Sequence, residues 1–228
     1  MMKSEVAILE KLFIKSGEII DVRRWDGGNM YEIDVQLPKV DFGKWSKVKS
    51  IKCRVGNLHY TDYTPAIWNS EEKTCTLYID TSHSGQGSNW AKLQQEGNIV
   101  HYLKIEDEKH IPLGNHLVFL GDQTAIGHFC ALKQLAAVQT QISGIITFND
   151  QRTADAFLDN CAWLPLTTSI GYESLYEETE NFLNKNRFNY DELVFYIVGN
   201  SEMVVRLRRS IKAHGISPVQ IKSKGFWH

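Results

Sequence analysis

The sequence predicts an α+β chain of two domains: an antiparallel β-barrel over residues 1–112, followed by an α/β domain built on a parallel sheet over 113–228. Three observations carry the prediction. Through the first half, apolar residues recur with period two between turn-forming residues, the pattern of half-buried antiparallel strands. From His116 onward, short continuous apolar runs alternate with helix-length segments, the pattern of a parallel sheet with right-handed crossovers. The change falls at Pro112-Leu113-Gly114-Asn115.

Glu5 to Lys15 places Val6, Leu9, Leu12 and Phe13 at helical spacing, with Ser4 as N-cap and Gly17 as stop. Glu18–Val22 and Tyr31–Leu37 then alternate as strands around Asp26-Gly27-Gly28-Asn29, which is hairpin-turn chemistry. Val48–Val55, His59–Thr64, Thr74–Asp80 and Asn98–Ile105 follow as strands. These six short strands describe an antiparallel barrel or sandwich. In the second half, strands are expected at His116–Leu120, Gly144–Phe148, Cys161–Leu164, Leu193–Val198 and Pro218–Ile221. Helices are expected from Thr124 through Leu135, and over Thr153–Asn160, Tyr172–Asn184 and Ser201–His214.

Composition narrows the function classes. Hydrophobic residues make up 43% and charged residues 23%, so the chain can bury a core. A net charge of −2 carries no basic bias, which argues against a nucleic-acid partner. Cys53, Cys75, Cys130 and Cys161 lie at wide spacing without a CxxC pair, which reads as free thiols in a reducing compartment. Neither a signal peptide nor a membrane span is legible, and the expectation is a cytoplasmic protein.

One stretch stands out as a ligand site. Ile79-Asp80-Thr81-Ser82-His83-Ser84-Gly85-Gln86-Gly87-Ser88-Asn89-Trp90-Ala91 leads from a strand through a Gly/Ser turn into a helix start. The first N–H groups of a helix lack intrahelical acceptors and carry partial positive charge, so such a turn can cradle a phosphate. The same residues also serve as an ordinary connector. In the second half, Gly121-Asp122, Asn149-Asp150, Trp163-Leu164 and Gly199-Asn200 mark the expected carboxyl ends of strands, where open α/β sheets bind ligands. Their Gly, Asp and Asn residues are also common turn and helix-capping residues.

In this order the residues resemble the siderophore-interacting protein family, FAD-dependent ferric-siderophore reductases of the ferredoxin–NADP reductase-like superfamily. Four features carry the resemblance. Tyr60-Thr61 matches the Tyr-Thr of the family's R-x-Y-T flavin motif. Asp80 through Ala91 is similar to its D-F-x-x-H-G-x-x-G-x-x-x-W-A stretch. Leu120-Gly121-Asp122-Gln123-Thr124-Ala125-Ile126 resembles G-D-E-T-A-L. Val198-Gly199-Asn200, Val204 to Arg209 and Gly225-Phe226-Trp227 resemble its G-E, V-R-x-L-R and G-Y-W.

The resemblance implies a flavin-binding barrel and an NAD(P)H-binding-like α/β domain. It implies FAD as cofactor, NAD(P)H or ferredoxin as electron donor, and a ferric siderophore or other ferric chelate as substrate. Tyr60 would stack on the flavin, and Thr61, the catalytic candidate, would hydrogen-bond near N5. His83 would lie near the isoalloxazine or ribityl chain, while Gly85, Gly87, Ser88 and Asn89 would hold the pyrophosphate. Asp122, Thr124, Gly199 and Asn200 would line the nicotinamide side, and Trp227, with Phe226, would cover the flavin or anchor the tail. No metal site is implied. Tyr63-Thr64-Pro65 offers a second Tyr-Thr register. The family's arginine before the tyrosine is Leu58 here, with Arg54 four residues earlier; Asn200 replaces its Glu, and His228 stands where a basic residue follows the Trp. Two readings from other classes remain: a non-catalytic flavin- or siderophore-binding protein, and a flavin reductase for another acceptor.

Overall fold

The computed structural model describes residues 14–186 and 190–227. The helix expected over 5–15 lies outside them except at its end, where Lys15 already belongs to the first strand. The chain packs as two units. One holds the residues up to Arg24 and Asn29–Lys109; the other holds Trp25–Gly28 and His110–His228.

The first unit is a seven-stranded antiparallel sheet in the order β4–β3–β7–β1–β2–β6–β5. Its strands are β1 (Lys15–Arg24), β2 (Met30–Gln36), β3 (Lys49–Gly56), β4 (His59–Tyr63), β5 (Pro65–Asn69), β6 (Thr74–Asp80) and β7 (Ile99–Asp107). The two strands at the ends of that order, β4 and β5, are joined by Thr64 alone. One residue spans about 3.5 Å, so a flat sheet of seven strands is excluded and the sheet curls into a barrel. Ile19, Ile33, Val35, Ile51, Leu77 and Tyr102 fill its interior. A short helix, α1 (Gln86–Lys92), joins β6 to β7 and buries Ser88 and Ala91.

Sequence reading missed β5. Proline lacks the N–H a central strand needs, so Pro65 argued against a strand there. The segment is tolerated because β5 is an edge of the hydrogen-bonded order. It also carries a bulge, with Ile67 at φ 48°, a conformation that β-branched residues rarely adopt.

The second unit is a five-stranded parallel sheet in the order β10–β9–β8–β11–β12. Its strands are β8 (His116–Asp122), β9 (Gln141–Phe148), β10 (Thr167–Ile170), β11 (Leu193–Asn200) and β12 (Ile221–Trp227). Helices α2 (Ile126–Leu135), α3 (Gln151–Asn160), α4 (Gly171–Asn186) and α5 (Ser201–Ala213) connect them. Strands β8 and β11 are buried at nearly every position, as expected of the centre of a parallel sheet.

Two expectations are corrected here. Cys161–Leu164 is a turn that ends α3, and the strand follows at Thr167–Ile170 after Pro165. Pro218–Gln220 forms a single 3-10 turn, and the last strand begins at Ile221. In the first, Cys161 and Leu164 are buried under the turn while Trp163 is exposed; in the second, Val219 is exposed and burial begins again at Ile221.

Candidate functional site

In the first unit the candidate elements meet where β4 faces the start of α1. Cross-strand pairing sets which side chains face which way. Thr61 pairs with Cys53 and Tyr63 with Ile51, so these two point inward with buried partners. Tyr60 pairs with Arg54 and lies on the outer face. The adjacent residues Tyr60 and Thr61 therefore serve opposite sides of β4.

Gly87 explains why α1 comes so close to β4. A Cβ on Gly87 would lie 2.6 Å from the Tyr63 hydroxyl and 3.3 Å from Thr61 Oγ1. The Tyr63 ring is held by Trp90, stacked at 5.9 Å with a 25° interplanar angle. Its hydroxyl is buried and has no hydrogen-bond partner among the described residues. Thr61 lies near enough to favour the phenolate slightly, but burial dominates and raises the Tyr63 pKa strongly. A buried polar atom without a partner is costly and uncommon. One aimed at the first turn of a helix fits a ligand that accepts a hydrogen bond there.

Asp80 holds the turn itself in shape. Its Oδ1 accepts from Ser82 N at 2.9 Å and its Oδ2 from Ser82 Oγ at 2.9 Å. His83 Nδ1 lies 3.5 Å from the same carboxylate with its side chain largely exposed. Ser88 is buried and donates to the Asp80 carbonyl at 3.3 Å, fastening the helix to the strand end. Gly85 occupies the N-cap without a side-chain cap, and Asn89 is exposed on the outside of α1. Thr61 and Gly87 thus meet at the start of α1, and the His83 ring lies against Gly85, where a Cβ would sit 3.2 Å from it, whereas Tyr60 lies on the other side of β4 and Asn89 is exposed. Asp80 and Tyr63 are the residues that motif reading undervalued; the second Tyr-Thr register was the available signal for Tyr63.

In the second unit the strand order reverses direction between β8 and β11, since β9 and β10 lie on one side and β12 on the other. That switch point is where open α/β sheets take ligands. Asp122, Thr124, Gly199, Asn200 and Trp227 all stand at this carboxyl edge.

The Asp122 carboxylate ties the edge together. Oδ1 accepts from Thr124 N at 3.0 Å and from the Thr124 hydroxyl. Oδ2 accepts from Asn200 N at 2.8 Å and from Tyr172 Oη at 3.3 Å. Burial raises the Asp122 pKa, and the four donors partly offset this. The side chain lies directly across Gly199, where a Cβ would sit 2.6 Å from Oδ1. Asn200 caps α5, its side-chain oxygen accepting from Glu202 N and Met203 N at 3.0 Å each. Asp122, Thr124 and Asn200 therefore have their acceptors and hydroxyl committed to bracing the strand ends. Trp227, opposite Asn200 in register, presents a substantially exposed ring at the same edge.

Other expected positions stand apart. Trp163 lies in the turn after α3, under Lys133, which reaches 5.2 Å from its ring and donates to its carbonyl. Among the described residues no cluster of His, Cys, Asp or Glu suits a metal ion.

Known structures share this arrangement over nearly the whole chain. A siderophore-interacting protein from Acinetobacter baumannii superposes with a TM-score of 0.74 at 12% identity, covering 94% of this chain and 90% of that one. A siderophore utilization protein from T. fusca gives 0.71 at 16%, covering 95% and 94%. A ferredoxin NADP+ reductase from Neisseria gonorrhoeae, with bound FAD and NADP, gives 0.73 at 15%, covering 93% and 98%. The fold is the one these proteins share. No family model and no curated sequence matches the chain. The likeness is thus carried by architecture: a curled antiparallel barrel, then a parallel sheet with a switch point between its first and fourth strands. Among the described residues no helix is long and apolar enough to cross a membrane.

Proposed function

We propose that this chain is an FAD-dependent oxidoreductase that passes electrons from NAD(P)H or ferredoxin to a ferric siderophore, releasing iron in the cytoplasm. The observation that carries the reading is the partnerless Tyr63 hydroxyl on β4, facing the start of α1, in a chain that matches siderophore-interacting proteins along almost their full length. The residues present suit a flavin nucleotide. The first turn of α1 offers N–H groups and Tyr63, on the inner side of β4, an unspent hydroxyl, while Tyr60 offers a half-buried aromatic face on the outer side of the same strand.

When bound, the flavin supplies the conversion of a two-electron hydride into single electrons for Fe(III). The chain supplies position. Asp80 fixes the head of the turn through Ser82 and its end through Ser88, and Gly87 lets the helix start close on Thr61 and Tyr63. Thr61 and Tyr63 can donate hydrogen bonds from the strand. Asp122 and Asn200 fix the strand ends against which a nicotinamide would lie, and Trp227 presents a partly exposed aromatic ring there. Iron is released because hard oxygen donors hold Fe(II) far less tightly than Fe(III).

The test is spectroscopic. The purified protein titrated with FAD should develop a perturbed flavin spectrum at micromolar concentration, and NADH, NADPH or reduced ferredoxin should bleach it without oxygen. Addition of a ferric siderophore should restore the oxidised spectrum and yield Fe(II), trapped by a ferrous chelator. Failure to bind flavin refutes the reading. Binding without bleaching by any donor supports instead a non-catalytic flavin- or siderophore-binding protein, which the use of Asn200 as a helix cap favours. Bleaching without iron reduction indicates a flavin reductase for another acceptor.

A further inference from the structure

Two helices that share a core on the parallel sheet carry opposite charge. Helix α4 holds Glu173, Glu177, Glu178 and Glu180 against Lys185 alone. Helix α5 holds Arg206, Arg208, Arg209 and Lys212 against Glu202 alone. Leu175 and Leu183 of α4 pack in one cluster with Val204, Leu207 and Ile211 of α5, so the helices lie side by side.

Part of the charge is spent along the seam between them. Arg206 meets both oxygens of Glu173, at 2.7 and 3.0 Å, and lies over the Tyr176 ring at 3.7 Å. Farther along, Glu180 accepts from Ser210 Oγ and lies 3.3 Å from His214 Nε2. The rest is turned outward. The buried positions of α4 are Leu175, Thr179 and Leu183, and those of α5 are Met203, Val204, Leu207 and Ile211. At about 100° per residue, Glu177 and Arg209 then stand opposite the core, with Glu178 and Arg208 on the flanks away from the seam. Glu177, Arg208, Arg209 and Lys212 are exposed, and none has an ion pair among the described residues. The outer side of α5 also borders a groove of about 450 Å³, lined by Ser201, Glu202, Val205, Arg206 and Arg209, where Val205 is 47% exposed.

We infer that this face joins two copies of the chain in a symmetric dimer, α4 of one copy lying on α5 of the other. An acidic helix beside a basic one makes a surface complementary to itself under a two-fold rotation. The levels along the helices match. Ser210 stands beside Glu180. At about 1.5 Å per residue, Glu177 and Glu178 lie about 3–4.5 Å before that level, and Arg208 and Arg209 about 1.5–3 Å before it. A two-fold axis through the seam at this height sets Glu177 against Arg209 of the second copy and Glu178 against its Arg208, each contact occurring twice. Exposed ion pairs contribute little singly, so the association is weak and sensitive to salt, with Val205 in the groove withdrawn from water. The dimer needs no bound flavin.

The test is sedimentation velocity on the purified full chain, over a hundredfold range of concentration. A monomer–dimer equilibrium is expected at low salt, shifting to monomer as salt is added. Arg208→Glu with Arg209→Glu should weaken self-association at least tenfold, as should Glu177→Lys with Glu178→Lys, each with an unchanged far-ultraviolet circular dichroism spectrum. Mixing the two double variants should restore a dimer, because every contact in the mixed pair joins opposite charges. A parent that stays monomeric throughout overturns the inference. So does a dimer that either double variant leaves intact, or one that the mixture does not recover. Should a double variant fail to fold, Arg209→Gln and Glu177→Gln decide: each should weaken the dimer, and an unchanged dimer overturns the inference.

Discussion

Replacing Gly199 by alanine tests whether the Asp122 carboxylate braces the carboxyl edge of the parallel sheet. Two costs combine. Gly199 has φ +134°, where a residue with a Cβ is strained by about 1–3 kcal/mol. The new Cβ would also lie 2.6 Å from Asp122 Oδ1 and 2.7 Å from both Cγ and Oδ2. Ordinary contact needs about 3.5 Å, so the carboxylate must leave. Leaving strands the buried Asn200 N–H, for about 1–3 kcal/mol. The sum is about 2–6 kcal/mol. Gly215→Ala is the control: φ is +83° and nothing lies within 4 Å of its Cβ, so only backbone strain of about 1–2 kcal/mol applies. Thermal unfolding should therefore fall further for Gly199→Ala, by roughly 2–4 °C for each additional kcal/mol in a chain of this size. Adding Asp122→Ala to each glycine variant completes the comparison, because removing the carboxylate should relieve Gly199→Ala and not Gly215→Ala. Equal destabilisation by the two glycine substitutions would refute the clamp.

Three further outcomes follow from buried groups. Tyr63→Phe removes a hydroxyl without a partner, so the flavin-free protein should gain about 1 kcal/mol in urea unfolding while FAD binding weakens; a loss of stability would show that the hydroxyl is satisfied. His128 is fully buried, bonded to His110 Nδ1 at 2.8 Å, with its own Nδ1 partnerless and its pKa well below 6.5, by burial first and then by the charges of His110 and Lys224. A depressed histidine contributes stability that is present above pH 6.5 and lost as pH falls toward the folded value, at up to about 1.4 kcal/mol per pH unit. His128→Phe should flatten that acid limb between pH 6.5 and 5, and an unchanged slope would assign it to other groups. All four cysteines are buried, with burial raising the thiol pKa of Cys53 and Cys75, so a thiol reagent should label none of them before unfolding. Labelling of Cys53 in the folded protein would contradict its place in the barrel core.

The two-part architecture was legible because periodicity is a direct imprint of burial: Thr74–Asp80 reads as a strand and is one, to the residue. Failures came where backbone chemistry and apolar patterning disagree. Pro65 hid β5, and the apolar run at Cys161–Leu164 belongs to a turn that buries its two ends and leaves Trp163 exposed. The motif residues Asp122, Gly199 and Asn200 were visible as a group, but not their use in bracing one another, which depends on β8 and β11 being neighbours. Spacing also could not show that Tyr60 and Thr61 face opposite ways, or that Gly87 is needed for contact with Tyr63. A bulky residue at Gly87 would therefore disturb barrel packing as well as any phosphate bound at the turn.

The pairing of β1 has a consequence for how the protein is made. One edge of β1 bonds to β2, within ten residues of it, but the other bonds to β7, whose last residue is Asp107. On a ribosome, the hairpin can form early and must then wait with a row of backbone donors and acceptors uncovered until β7 emerges. Pairing this distant in sequence is slow. The barrel, rather than the locally wound α/β unit, is therefore where the folding chain is most exposed to capture by another molecule.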